Sequence, residues 1–215
     1  MKYIFIVGAP GSRWSGVAKS IYYSDQIDQS DDSPERTYYN PKSPPKAKQL
    51  MHRGAYFDPG MEFGNELENF DSLSKEELEK IFDAPFTAKD KIRIIKSHVL
   101  SLHLDKLTEM FNDPIVLVYR HDKDCFDWWN EAGGWNITYP SYSWFKDDET
   151  MKQQISLQNQ SIRSYIIKHG LYSLNDNIEL QKLLGINAMT HLRFTDVEVY
   201  CKINHESKDT RPANT

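Results

Sequence analysis

The chain opens on a nearly unbroken apolar run, Lys2 to Val7, which reads as a β-strand buried on both faces. Gly8 to Gly16 (Gly-Ala-Pro-Gly-Ser-Arg-Trp-Ser-Gly) breaks it with turn residues. Ser15 to Tyr23 then reads as a helix whose inner face is Val17, Ala18 and Ile21. From 24 to 65 the pattern is lost. Asp, Ser, Pro, Tyr and Gly dominate, Pro41, Pro44 and Pro45 exclude regular helix, and a loop of this length is expected to act as a lid or binding loop. Its aromatic, turn-rich stretch Arg53 to Gly64 is a candidate cover for a binding pocket. Periodicity returns at Ser74 to Phe82, where Ser74 and Glu77 have capping-box spacing and Leu73 and Leu78 are placed to staple the helix start.

Strands and helices alternate from there. Lys91 to Lys96 predicts a strand ending at Ser97-His98, and Leu102 to Phe111 a helix resting on Leu102, Leu104, Leu107 and Met110. Pro114 to Tyr119 predicts a strand closed by Arg120, and Asp122 to Glu131 a helix stopped by Gly133-Gly134. A long amphipathic helix over 148–169 carries Met151, Ile155, Ile162 and Ile166 on one stripe and stops at Gly170. Asn177 to Leu184 reads as a further helix, His191 to Phe194 as a last short strand, and Asn204 to Thr215 as a polar, unstructured tail. The alternation implies an α/β fold over residues 1–203, with helices flanking a mainly parallel sheet of about four or five strands.

Composition narrows the function classes. A net charge of −5 excludes a surface built to coat nucleic acid, so any anionic ligand needs a local basic cluster. Two cysteines, Cys125 and Cys201, suit a reducing compartment, and no apolar run approaches the roughly 20 residues that span a bilayer. A cytoplasmic protein with no membrane or nucleic-acid partner is expected, and no histidine–cysteine spacing calls for a metal.

Three candidate sets fall at the carboxyl ends of predicted strands, where open α/β sheets bind ligands. They are the loop Pro10, Gly11, Ser12, Arg13, Trp14, Ser15 and Gly16, the triplet Lys96-Ser97-His98, and Arg120. Strand, glycine-bearing turn and helix is how a phosphate cradle is built from backbone amides. Against the nucleotide-hydrolase pattern G-x-x-x-x-G-K-[ST], Gly8 and Ser15 fit, but Arg13 takes the second glycine's place and Trp14 the lysine's. No acid of the kind that holds Mg²⁺ follows Val118, so a P-loop nucleotide kinase is a rival reading only.

The loop resembles the 5′-phosphosulfate loop of sulfotransferases, close to G-x-P-[KR]-S-G-[TS]-[TS], through Gly8, Pro10, Ser12 and Ser15. The resemblance continues in order along the chain. The cytosolic members carry a strand ending in Lys-Thr-His, matched by Lys96-Ser97-His98. They also carry an apolar strand running into Arg-Asn-Pro-[KR]-Asp, matched by Val116 to Asp124 with Arg120 leading, and a late Arg-Tyr-Glu-Asp-Leu, matched by Arg193 to Val197. The chain is thereby similar to a compact, divergent sulfotransferase dependent on 3′-phosphoadenosine 5′-phosphosulfate (PAPS).

That resemblance implies a P-loop-like three-layer fold and transfer of a sulfuryl group to a hydroxyl or amine of a small-molecule acceptor. It casts His98 as general base and Lys96 as the charge facing the sulfuryl and 5′-phosphate oxygens. Ser12, Ser15 and the loop amides would hold the phosphosulfate and Arg120 the 3′-phosphate; Trp128 or Trp129 is placed to stack on the adenine. The chain departs from the pattern at Gly11, where the family places a lysine, at Trp128, where it places a serine, and in lacking a late Arg-Lys-Gly clamp. Arg13 is the candidate substitute for the loop lysine. These departures sustain the other rival, a nucleotide-binding module without catalysis.

Overall fold

A computed structural model describes residues 1–30, 61–88, 90–132, 134–136, 143–187 and 192–203. Most of the lid expected at 24–65 (residues 31–60), with most of the Arg53 to Gly64 stretch, and the 204–215 tail therefore lie outside the described residues. Five strands form one sheet: β1 (Tyr3–Gly8), β2 (Met61–Glu62), β3 (Arg93–Lys96), β4 (Ile115–Tyr119) and β5 (Glu198–Lys202), in the spatial order β2-β3-β1-β4-β5. All pairings are parallel except β4 with β5. The helices are α1 (Trp14–Tyr22), α2 (Lys75–Asp83), α3 (Leu104–Met110), α4 (Asp122–Ala132), α5 (Asp148–Lys168) and α6 (Asn177–Leu184).

The two-residue period of the strands divides the interior in two. Tyr3, Phe5 and Val7 of β1 join Ile95, Ile115 and Leu117 in a core with α2, α3 and α5. Ile4 and Ile6 join Ile94, Val116 and Val118 in a second core with α1 and α6. Every residue of β1 and β4 is buried, which is why both runs read as continuously apolar rather than alternating. In the first core Tyr3, Phe5, Phe82 and Phe111 pack with ring centroids 5.3 to 5.9 Å apart, mostly edge to face.

Two departures from the sequence reading concern the sheet. Around His191 to Phe194 the described residues contain only a single bridge, Asp176 with Arg193, and the last strand is Glu198–Lys202. The hydrophobic pattern misses it because only Val199 and Tyr200 are buried on this edge strand. β2 is two residues long, too short to leave a periodic signal inside a turn-rich stretch. The start of the helix expected from Leu102 is instead a 3₁₀ turn, Val99–Leu102, with α3 beginning at Leu104.

β1 leads into α1 on one face of the sheet, whereas β3 leads into the 3₁₀ turn and α3 on the other. Adjacent strands whose chains depart to opposite faces leave a crevice between their carboxyl ends. A third small cluster, Ala9, Cys125, Trp129, Met151 and Ile155, brings α4 and α5 over that edge.

The opposite edge is tied by charge. Asp113 accepts from the Lys2 and Tyr3 amides at 2.6 and 2.9 Å. Asp83 accepts from the Tyr3 hydroxyl at 2.7 Å, pairs with Lys2 at 2.9 Å and is held by Arg93. Burial opposes the Asp83 charge, but these hydrogen bonds and cations outweigh it and hold its carboxyl below the ordinary range. A carboxyl depressed in the folded state stabilises fully above its unfolded pKa, and that contribution fades as pH falls through the folded value. Asp83→Asn is therefore expected to be less stable than wild type at neutral pH. In urea titrations the gap closes as pH falls below about 4, the ordinary range of an aspartate.

Candidate functional site

The Pro10–Gly16 loop is a tight knot at the end of β1. Ser12 N donates to Ala9 O and Gly16 N to Arg13 O, both at 3.0 Å, so these two amides are committed within the loop. Gly11 has φ +75°, and a Cβ there would lie 1.9 Å from the Cys125 carbonyl oxygen. The first turn of α4 thus occupies the space of any side chain at 11, so the lysine of the family pattern has no room. A Cβ on Gly8 would sit 2.5 Å from Ser12 Oγ. Ser12 is fully buried, and its Oγ has no hydrogen-bond partner among the described residues. The helix that follows begins without a side-chain cap: Arg13, with φ 66°, takes the N-cap place and makes no capping bond. An uncapped helix start beside an orphaned buried hydroxyl is a donor set with the chemistry of an oxyanion site.

β3 delivers the other half. His98 Nδ1 lies 2.6 Å from the Gly8 carbonyl, which can only accept, so the Nδ1 carries a proton. Ser97 Oγ accepts from Val99 N at 3.1 Å, and Ser101 Oγ donates to His98 O at 2.6 Å, which fixes the turn that presents the ring. Trp14 stacks on the His98 ring, with centroids 4.1 Å apart and planes 9° from parallel, and Phe145 meets its edge at 6.2 Å. Lys96 is wholly buried, its Nζ 5.4 Å from the Trp14 ring. In this arrangement the indole covers both His98 and Lys96, and His98 is 1% exposed. Glu62 completes the cluster, its Oε1 3.6 Å from His98 Nε2.

The third set stands on the far side of the loop. Arg120 Nη1 donates to Gly11 O at 3.3 Å, while its buried Nε has no partner among the described residues. The guanidinium carbons of Arg13 and Arg120 lie 4.7 and 5.8 Å from the Trp128 ring. Arg13 turns away from the loop interior to pair with Asp196 at 3.4 Å. A neighbouring cavity of about 480 Å³ is lined by Tyr119, Arg120, His121, Asp124, Asp196 and Glu198. Three carboxylates around one guanidinium make this a poor place for a phosphate.

The structure thus gathers Pro10 to Gly16, Lys96, His98 and Arg120 on one sheet edge, with Trp128 beside Arg120. The other tryptophans disperse. Trp129 belongs to the small core cluster, Trp135 leans on it and donates to Asp148, and Trp144 packs against the α2–α3–α5 core. Three residues escaped the sequence reading: Glu62, Asp196 as the partner of Arg13, and Asn159. Asn159 Nδ2 donates to Arg120 O at 2.8 Å and Asp122 Oδ1 at 2.7 Å, fixing the β4–α4 turn. Its only signal is an amide on the inner side of an amphipathic helix. Burial pushes the Cys125 thiol up to about 12, so it offers no thiolate near neutrality. Among the described residues no group of three or more His, Cys, Asp or Glu could hold a metal ion, and no helix is long and apolar enough to cross a membrane.

No protein-family model matches the chain, and no curated protein or solved structure matches it either.

Gly11→Ala is expected to lose at least about 2 kcal/mol in urea denaturation, from the left-handed backbone together with the collision at Cys125. Gly16, inside α1 with open space around it, supplies the control. Gly16→Ala should hold or gain up to about 1 kcal/mol, the ordinary helix-propensity difference.

Proposed function

We propose that the chain is a PAPS-dependent sulfotransferase with a P-loop-like site at the carboxyl ends of β1 and β3, acting on a hydroxyl or amine of a small-molecule acceptor. The observation that carries the reading is the meeting of the uncapped loop–helix start with Lys96 and His98, tied by the 2.6 Å bond from His98 Nδ1 to Gly8 O. When bound, PAPS supplies the activated sulfuryl group. The chain's own work is positioning and charge compensation. Ser12 Oγ and the Trp14 and Ser15 amides at the start of α1 offer donors to the 5′ oxygens, and Lys96 offers the charge that offsets them. With its proton fixed on Nδ1, His98 has Nε2 as the atom that takes the acceptor proton. The residues fit the 5′ end of PAPS better than its 3′ end, where Trp128 replaces a hydroxyl and carboxylates surround Arg120.

The resting site is closed, so binding requires the Trp14 indole to leave the His98 face. Unstacking a buried indole costs on the order of 1–3 kcal/mol, which lowers apparent affinity about tenfold to a hundredfold. A second reading, a nucleotide-binding module without catalysis, draws on the lack of room for a lysine at Gly11.

Calorimetry with 3′-phosphoadenosine 5′-phosphate should show weak binding to wild type and binding about tenfold tighter to Trp14→Leu. No heat with either protein at millimolar nucleotide removes the sulfotransferase reading. Transfer of radiolabelled sulfate from PAPS, screened over phenols, alcohols and amines, separates the two readings. His98→Ala should reduce such transfer at least about 100-fold, and full activity in that variant would exclude His98 as the base.

A further inference from the structure

Glu62 faces His98 from the neighbouring strand. The β2–β3 ladder sets it there, because Glu62 is the register partner of Lys96 and Phe63 N donates to Lys96 O at 2.8 Å. Glu62 is 6% exposed and Lys96 not at all, so two ionisable residues stand opposite each other in the ladder and out of solvent. Burial strongly opposes an isolated carboxylate, whereas a neighbouring ammonium favours the ionised form. Glu62 Oε1 then stands 3.6 Å from Nε2 of a ring whose Nδ1 proton is committed to Gly8. A neutral ring in that position would turn a lone pair toward a carboxylate, two acceptors face to face. A second ring proton removes the conflict and forms an ion pair. Of the charged side chains near the ring, Glu62 of β2 approaches Nε2, and Lys96 of β3 shares with the ring the cover of the Trp14 indole. Trp14 of α1 and Phe145 present only aromatic surface.

We propose that Glu62 is a positioning residue for His98: it holds the ring from the Nε2 side, keeps it an imidazolium in the resting protein, and is the group an acceptor must replace before Nε2 can take a proton. As the pair separates, the Nε2 proton passes to the Glu62 carboxylate. That leaves a neutral imidazole and a neutral carboxylic acid, the two opposite charges cancelling and the net charge unchanged. Entry of the acceptor and release of the base are then one event. The inference rests on the reading of His98 as proton acceptor, and its test uses neither nucleotide nor acceptor.

Ring-nitrogen ¹H–¹⁵N correlation spectra of the full chain, with His98 identified by the signals lost in His98→Gln, report the protons directly. Both His98 nitrogens should be protonated at neutral pH in wild type. In Glu62→Gln the Nε2 proton should be lost about 1 pH unit or more lower, and Glu62→Asp, which keeps the charge, should restore much of the difference. A wild-type ring bare at Nε2 at neutral pH overturns the proposal, as does an unchanged His98 titration in Glu62→Gln. If Glu62→Gln does not fold, the wild-type spectrum decides alone. Failure to bind 3′-phosphoadenosine 5′-phosphate would remove the sulfotransferase reading and leave this result standing.

Discussion

The hydrogen bond from His98 to the Gly8 carbonyl joins the ends of β3 and β1 where the chain leaves the sheet toward opposite faces. Around that bond the available space is set by side chains that are missing. Gly8 leaves room for Ser12 to fold back over the strand end, and Gly11 lets the first turn of α4 close onto the loop. Trp14 can then lie flat on the imidazole, and Lys96 is sealed beneath it. The carboxyl edge is thus tightly constrained, although it is built largely from loop residues.

Much of the fold was legible because burial on two faces leaves an unmistakable mark. β1 and β4 read as continuous apolar runs, and α6 was bounded to the residue by its pattern. The capping box at Ser74 and Glu77 is present as read, with both reciprocal bonds formed. What escaped was short or half-exposed. β2 spans two residues, and β5 buries only Val199 and Tyr200, so neither carries a full period.

The candidate site divides along a similar line. That the loop, Lys96, His98 and Arg120 share one edge follows from each standing at the end of a parallel strand. Which side chains touch does not follow, because it is settled by packing between segments distant in sequence. Trp14 on His98, Glu62 against Nε2 and Asp196 against Arg13 are all of this kind. Arg13 and Asp196 are also the two non-glycine residues with positive φ among those described, and they are paired with each other. Each such conformation costs of order 1 kcal/mol or more, and the surrounding contacts must hold it in place.

The antiparallel pairing of β5 with β4 bears on how the chain is made. β4 is fully apolar and would otherwise lie at the border of the sheet, with a row of unpaired backbone groups facing outward. Its cover arrives only after α4, α5 and α6 have been synthesised. Through that interval the nascent protein carries an adhesive strand, open to any extended segment of a neighbouring chain. This late-arriving strand therefore guards against clumping, and losing it would show first as poor yield rather than as damage at the opposite, β1–β3 part of the sheet edge.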